Sequence, residues 1–376
     1  MLLFCASLYS CVEVYEVRYT LKADVVTVEG FVTNDTGLTV ILKTSRSRGQ
    51  NYFAEPLKKC TVEIGLGNGT SIPLTEVFDG GYAAPSSFRG QIGQTYQLRF
   101  RTPDGRNYES ETERLNAPPA IAKSYFQFNQ NGILDRTGTR VLASSFDVFV
   151  DFNDPAEQRN FYLWRWVSYE EQRICASCEG GRLDSRTKLC VPERNSRITY
   201  DYVCDAPCWE MFFSNEVNIF SDAFSNGRSV VGRQVAKIPF YRLGTMFENR
   251  ACLIEIQQYT ISAGAYEYYR LLRDQAQNTG NLTDTPPAAI IGNVRNVNDP
   301  SEEVVGYFGT AGVVTSRLFI DKRPFRNATP VFMLGRDPNL EPDSQPMPPL
   351  FDVRPPFAPC LLSASRTPVK PIGWNL

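Results

Sequence analysis

The chain contains 376 residues, with 39 lysines and arginines against 41 aspartates and glutamates, for a formal net charge of −2. This balance creates no positive field that would attract a nucleic acid. Histidine is absent, which excludes Ser-His-Asp triads, Cys-His pairs and His-ligated zinc hydrolysis. We therefore predict no catalytic, cofactor-binding or metal-binding residue, although paired carboxylates remain available for acid–base chemistry.

The run Leu8-Tyr9-Ser10-Cys11, behind an apolar leader, is typical of a truncated bacterial lipoprotein signal. It predicts that residues 1–11 end in a lipidated Cys11 and that residues 12–24 form a tether. Each buried acyl methylene adds about 0.8 kcal/mol of membrane affinity. No later stretch reaches the roughly 20 apolar residues of a membrane helix, so we expect membrane contact through this anchor only. The leader lacks Lys and Arg, which leaves an ordinary apolar N-terminus as the alternative.

Residues 25–115 are rich in β-branched segments separated by turn signals. One hairpin is predicted to turn at Asn68-Gly69, because this dipeptide tolerates positive φ at both turn positions. A second hairpin is predicted to turn at Pro103-Asp104-Gly105. Short strands at this spacing, with no helical period between them, predict an immunoglobulin-like β-sandwich over 25–115.

Residues 120–376 predict a second, larger β-rich domain. Alternating apolar residues over 146–152 and a strongly apolar run over 253–261 are typical of strands. The proline-rich tail, 324–376, is expected to wrap the surface as irregular chain. Together with the N-terminal segment, these patterns predict a mainly β protein.

One helix is predicted within this second domain. Ser262 suits its N-cap, and Gly280 stands past its expected end. Tyr268 and Tyr269 fall at helical spacing on its apolar face. We interpret these tyrosines as core residues, with the binding of sugar rings as the alternative.

Eight cysteines follow the leader region, and five of them lie within 175–208. This clustering predicts a loop-rich insertion stapled by disulfides, because closing a loop of about 15 residues contributes about 3 kcal/mol in an oxidising compartment. The spacing is also compatible with a zinc site of four thiolates, which stays open as an alternative. The disulfide candidates are Cys60, Cys175, Cys178, Cys190, Cys204, Cys208, Cys252 and Cys360.

Several motifs together carry a specific family resemblance. They include Tyr259-Thr-Ile-Ser-Ala-Gly-Ala-Tyr266, Pro286-Pro287, Ile291-Gly-Asn293 and Cys208-Trp209. With them, the chain resembles a family of outer-membrane lipoproteins of Bacteroidetes known as domain of unknown function 4249. The resemblance covers essentially the whole chain after the anchor. It departs near the end, where Cys360 lacks the second cysteine that the family often has three residues later.

Members of this family resemble one another in carrying a lipidation motif and in being encoded beside TonB-dependent receptors. Together with the predicted anchor, the β-rich modules and the absence of histidine, the resemblance leads us to expect a non-enzymatic, lipid-anchored outer-membrane protein on the cell surface. We expect it to bind a TonB-dependent transporter and to help to capture or gate its ligand. The resemblance names neither the ligand nor a catalytic residue. We expect loops between 262 and 310, or the cysteine-rich insertion, to meet the partner. A carboxylate-dependent glycan or peptide hydrolase and a structural or adhesive envelope protein remain alternatives.

Overall fold

The predicted mainly β architecture is confirmed, with one α-helix among the described residues. In that part of the chain, no helix combines the length and the apolar character needed to cross a bilayer. The computed structural model describes residues 24–35, 37–48, 51–134, 142–156, 158–174, 177–178, 181–183, 190–192, 200–201, 206–242, 250–276, 290–332, 360 and 362–375.

The N-terminal strands include both predicted hairpins. Gly69 and Gly105, at their turns, have φ values of +85° and +94°, which explains why glycine occupies both positions. The strands are β1 Val26–Thr33, β2 Thr39–Arg48, β3 Asn51–Pro56, β4 Thr61–Leu66, β5 Ser71–Phe78, β6 Gly81–Ala83, β7 Thr95–Arg101, β8 Asn107–Ser110 and β9 Glu113–Arg114.

These strands form two layers that are connected through β5. The first half of β5 pairs with β4, and its second half pairs with β6. Alternate residues of each strand point inward, as the period of two requires. The apolar core between the layers includes Val26, Val28, Leu42, Ile64, Leu98, Phe100 and Tyr108.

The second half of the chain adds long strands, small hairpins and the helix. Its elements are β10 Ile121–Leu134, β11 Leu142–Asn153, β12 Phe161–Ile174, β13 Ser177–Cys178, β14 Gly181–Leu183, β15 Cys190–Pro192, β16 Tyr200–Asp201, β17 Ala206–Phe213, β18 Asn218–Ser221, β19 Ser229–Pro239, β20 Tyr241–Arg242, β21 Ala251–Ile261, α1 Ala263–Ala276, β22 Val294–Asn296, β23 Val304–Asp321, a 3₁₀ turn Arg323–Phe325, β24 Val331–Phe332 and β25 Arg366–Thr367.

β23 belongs to both halves of the fold. Its residues 304–311 pair in parallel with β1, and residues 312–321 pair antiparallel with β21. Val304 and Phe308 of β23, together with Val294 of β22, are part of the N-terminal core. The predicted sandwich of residues 25–115 therefore also contains β22 and β23, which lie almost 200 residues later in the chain. Local patterns could not show this, because pairing between distant segments leaves no turn signal.

A second core lies between β12, β21 and β23 on one side and a three-stranded sheet of β10, β11 and β19 on the other. Its centre is aromatic. The ring centroid of Phe152 lies 5.0 Å from that of Tyr162 and 6.1 Å from that of Trp164. Trp164 is 1% exposed and donates a hydrogen bond to Gln258 Oε1 at 3.0 Å. This tryptophan is a core residue.

The described residues of the predicted cysteine-rich insertion form two small sheets, β13 with β16 and β14 with β15. It ends earlier than predicted, because Cys208 already belongs to β17 and pairs with β12. Ile174 and Ala206 are direct partners across the β12–β17 pair. The insertion therefore leaves and re-enters the main sheet at adjacent positions.

One disulfide joins described residues, between Cys208 and Cys360, which are separated by 152 positions in the sequence. Cys60 and Cys252 carry free thiols, which corrects the disulfide prediction for these two. Cys252 is fully buried on β21 among apolar side chains, where it packs as a small apolar residue. The other candidate side chains lie outside the described part of the chain: Cys175, Cys178, Cys190 and Cys204.

The described end of the tail lies against the sheet. β25 pairs with β17. Trp374 is 5% exposed, and its ring centroid lies 5.9 Å from that of Trp209 and 5.5 Å from that of Phe319. The tail thus has a short strand where irregular chain was predicted. Residues 333–359 lie outside the described residues.

Candidate ligand-binding cleft

Helix α1 lies on the sheet face that points away from both cores. Side chains alternate between the two faces of a strand, so every second residue of β12, β21, β23 and β1 points to this face. The register aligns Leu163 with Tyr259, Tyr259 with Val313, and Phe31 with Gly309. These strands therefore present one continuous surface to the helix.

The helix begins where the sequence predicts. Ser262 Oγ accepts a hydrogen bond from the Ala265 N–H at 3.1 Å, which satisfies one of the unpaired amides of the first turn. Ala265 is fully buried against the sheet. The helix ends at Ala276, and Gly280 lies outside the described residues.

The tyrosines of α1 have different environments. Tyr266 packs on Phe161 with ring centroids 4.9 Å apart. Tyr268 lies 5.4 Å from Tyr307 between centroids, and Tyr268 and Tyr269 both line an open cleft. Tyr268 and Tyr269, which we interpreted as core residues, therefore also form part of the wall of this cleft.

This junction cleft lies between α1 and the outer face of β1 and β2. Its volume is about 490 Å³, within the range of about 300–1,000 Å³ typical of small-ligand sites. The lining residues are Glu29, Gly30, Phe31, Thr33, Gly37, Thr39, Ile41, Arg165, Tyr259, Tyr268, Tyr269, Leu272 and Tyr307.

Arg165 is the cationic residue of the cleft. Its guanidinium carbon lies 6.0 Å from the ring centroid of Phe31 and 5.6 Å from that of Tyr259. Its Nη2 donates a hydrogen bond to the Tyr269 hydroxyl at 3.2 Å. Contacts with aromatic rings hold the guanidinium in place. Among the described residues, the Tyr269 hydroxyl alone accepts a hydrogen bond from this side chain.

The neighbouring carboxylate on this face is already engaged. Glu255 accepts hydrogen bonds from Arg317 Nε at 2.8 Å and from Gln257 Nε2 at 3.1 Å. Gln257 Oε1 in turn accepts from the Tyr259 hydroxyl at 2.8 Å. Among the described residues, Arg165 has no carboxylate within ion-pair distance. The described part of the cleft therefore presents a guanidinium without an ion-pair partner beside aromatic rings, and Glu29 is the carboxylate of the same lining.

The tyrosines of the cleft stay protonated at physiological pH. Burial raises the pKa of Tyr268 to about 12, with smaller contributions from Tyr269 and Glu29. Burial also raises the pKa of Tyr269, although Arg165 partly opposes it. Neutral phenols donate hydrogen bonds and do not act as bases near neutral pH.

A buried carboxyl group sits behind the cleft. Tyr307 donates a short hydrogen bond to Glu113 Oε1, and its hydroxyl lies 3.3 Å from Ser262 Oγ. A Cβ at Gly264 would lie 2.7 Å from this hydroxyl, so glycine permits the approach. Burial raises the pKa of Glu113, and the hydrogen bond from Tyr307 partly opposes this. The cluster joins the start of α1 to the N-terminal sandwich.

The raised pKa of Glu113 predicts a pH-dependent stability. Its contribution is fully present below the pKa of the unfolded chain and is lost as pH rises through the folded-state pKa. Glu113→Gln removes this titration. The free energy of unfolding of the variant, measured relative to that of the wild type, should therefore be higher at about pH 8 than at about pH 5. Urea unfolding at both pH values measures the difference. The exposed neighbour Glu111 supplies the control variant Glu111→Gln, and an equal pH slope for wild type and Glu113→Gln would refute the assignment.

A second groove of about 490 Å³ contains three glutamates, Glu111, Glu302 and Glu303, beside β22. Glu302 accepts hydrogen bonds from the Tyr108 hydroxyl at 2.7 Å and from Arg106 at 3.1 Å. These contacts fix the loop that precedes β23. We assign Glu302 a structural role.

The sequence indicated only part of the cleft. Tyr268, Tyr269 and Tyr307 lie in the segment 262–310 that was expected to meet a partner. Arg165 and Glu29 were missed, because each is an ordinary polar residue on the outer face of a strand. Cys11, the predicted lipidation site, lies outside the described residues.

Comparison with known proteins places the chain in a family without assigning an activity. No curated protein matches the sequence. A family model described as Domain of unknown function (DUF4249) matches residues 12–317, which include every residue that lines the junction cleft. The chain therefore belongs to the DUF4249 family.

Proposed function

We propose that the protein is a lipid-anchored, non-enzymatic accessory protein of the outer membrane that binds a TonB-dependent transporter and helps to capture or gate its ligand. The junction cleft carries this proposal. It combines the Arg165 guanidinium, protonated tyrosines and an open volume of about 490 Å³, on a sheet face formed by strands from both halves of the chain.

The chemistry of the cleft favours binding over catalysis. Its phenols are protonated because their pKa values are raised, and the carboxyl group of Glu113 is buried behind Tyr307. General acid–base catalysis works best with a group whose pKa lies near the working pH. The described lining residues include one carboxylate, Glu29, whereas glycoside hydrolysis uses two facing carboxyl groups.

The proposed location is supported by two features. The disulfide between Cys208 and Cys360 is typical of an oxidising compartment such as the cell envelope. The run ending in Cys11 has the pattern of a lipidation site. Fatty acylation at Cys11 would hold the folded protein at a membrane surface, next to an embedded transporter.

Membrane attachment gives the first test of this proposal. Cys11→Ser, expressed with the native upstream coding region, should move the protein from the membrane fraction to the soluble fraction, because the acyl chains provide the membrane affinity. Cell fractionation and mass spectrometry of the N-terminal peptide measure this. A Cys60→Ser variant should remain in the membrane fraction. Retention of the Cys11→Ser variant, with no fatty acid on the wild type, would refute the anchor.

A further inference from the structure

We propose that the junction cleft binds an acidic sugar, a hexuronic acid unit whose carboxylate pairs with Arg165. This inference deepens the proposed capture role and rests on it. It identifies the ligand class from the donors, acceptors and rings that line the cleft.

Arg165 supplies the anion-binding end. A guanidinium presents several N–H donors in a fixed plane and binds carboxylates through two parallel hydrogen bonds. Phe31 and Tyr259 fix the position of this group at 6.0 and 5.6 Å. Glu255, the acidic neighbour on the same face, is held by Arg317. Because no described carboxylate pairs with Arg165, an incoming carboxylate can form this pair.

The opposite end of the cleft suits hydroxyl groups. Glu29 precedes Phe31 by two positions on β1, so it projects from the same face about 6–7 Å away. Its carboxylate can accept hydrogen bonds from sugar hydroxyls. Thr39, exposed on β2, lines the same wall.

The tyrosines favour an oxygen-rich ligand. The Tyr269 hydroxyl accepts its bond from Arg165, so its own hydrogen is free to donate. Tyr268 forms no side-chain hydrogen bond with other described residues. These hydroxyls and the Arg165 N–H groups can donate to the ring, hydroxyl and carboxylate oxygens of a uronic acid.

The ring geometry disfavours a flat aromatic acid. Phe31 and Tyr269 stack on each other with centroids 6.2 Å apart and planes 25° apart. Inserting a planar ring between them would require two contacts of about 3.5 Å each. A puckered sugar needs no such slot, since it can rest on the half-buried rings and on Leu272 at the cleft wall.

Isothermal titration calorimetry on the full chain, purified in mild detergent, tests the inference with digalacturonic acid and with a glucuronate-containing disaccharide. At least one should bind the wild type. Arg165→Gln should weaken that binding by about tenfold or more, because it removes a charge-assisted pair, and Thr39→Trp should weaken it by blocking the entrance. The methyl ester of the bound disaccharide should bind no better to wild type than to Arg165→Gln. Arg295→Gln, an exposed arginine outside the cleft, should bind like wild type.

Three outcomes would overturn the inference. The first is that neither disaccharide binds the wild type. The second is that a disaccharide binds the wild type and Arg165→Gln equally well. The third is that trialanine binds and the disaccharides do not. Circular dichroism confirms that Arg165→Gln is folded, and the exposed Thr39 provides an independent variant. Co-purification with a transporter is measured separately on Arg165→Gln, which should keep its partner. If the wild type keeps its transporter but binds neither disaccharide, the ligand class is rejected; if it binds sugar but has no transporter partner, the proposed function is rejected.

Discussion

Lys322→Met is expected to lower the free energy of unfolding by about 3–5 kcal/mol, because it leaves a buried carboxylate without its cation. Lys322 Nζ lies 2.5 Å from Glu170 Oε2, and the two side chains are 1% and 0% exposed. The same ammonium donates to the Tyr241 carbonyl at 3.2 Å and lies 4.8 Å from the Phe240 ring centroid. Chemical denaturation of wild type and variant measures the loss.

The adjacent residue provides a matched control for this experiment. Arg323 pairs with Asp321 at the surface, and exposed pairs of this kind contribute little, so Arg323→Met should behave like wild type. Adding Glu170→Gln to Lys322→Met should recover part of the loss, because it removes the buried negative charge. Equal stabilities of Lys322→Met and Arg323→Met would contradict the assignment of a buried ion pair.

Cys360→Ser is expected to lower the free energy of unfolding by about 2–4 kcal/mol, the usual effect of a native disulfide. The bond between Cys208 and Cys360 closes a loop of 152 positions, so its loss frees a large part of the unfolded chain. It also leaves Trp374 and the β25–β17 pair to hold the tail. Denaturation under non-reducing conditions and limited proteolysis of the tail measure both effects. Cys60→Ser, at a free thiol, should change stability less, and an equal loss for both variants would contradict the prediction.

Local signals were the part of the fold that the sequence predicted well. Asn68-Gly69 and the cap at Ser262 act within a few residues, and both are present. The pairing of β1 with β23 and the bond between Cys208 and Cys360 were not predictable, because they join segments far apart in the chain.

The junction cleft shows the same limitation at the level of function. Glu29, Arg165 and Tyr268 come from two strands and a helix, and only the register of the shared sheet brings them together. The spacing of the tyrosines in the sequence predicted only that they share one face of a helix. It contained no sign that an arginine faced them.

Purification from the membrane tests whether the protein binds a TonB-dependent transporter. A tagged chain, produced with its native upstream leader, is extracted from the outer membrane in mild detergent and its partners are identified by mass spectrometry. A specific interface of about 1,200–2,000 Å² should survive this treatment. We expect a TonB-dependent barrel at a one-to-one ratio.

A variant of the insertion locates the interface in the same measurement. Because Ile174 and Ala206 are direct strand partners, replacing residues 175–205 by Asn-Gly closes β12 and β17 as a hairpin and keeps Cys208 in place. We expect this variant to fold, to remain in the membrane and to recover less of the barrel than wild type does. The transport role is contradicted by two results together. The wild type purifies alone under conditions that preserve other receptor–lipoprotein complexes, and cells that lack the protein take up the transporter's ligand as before. A structural role would then replace it.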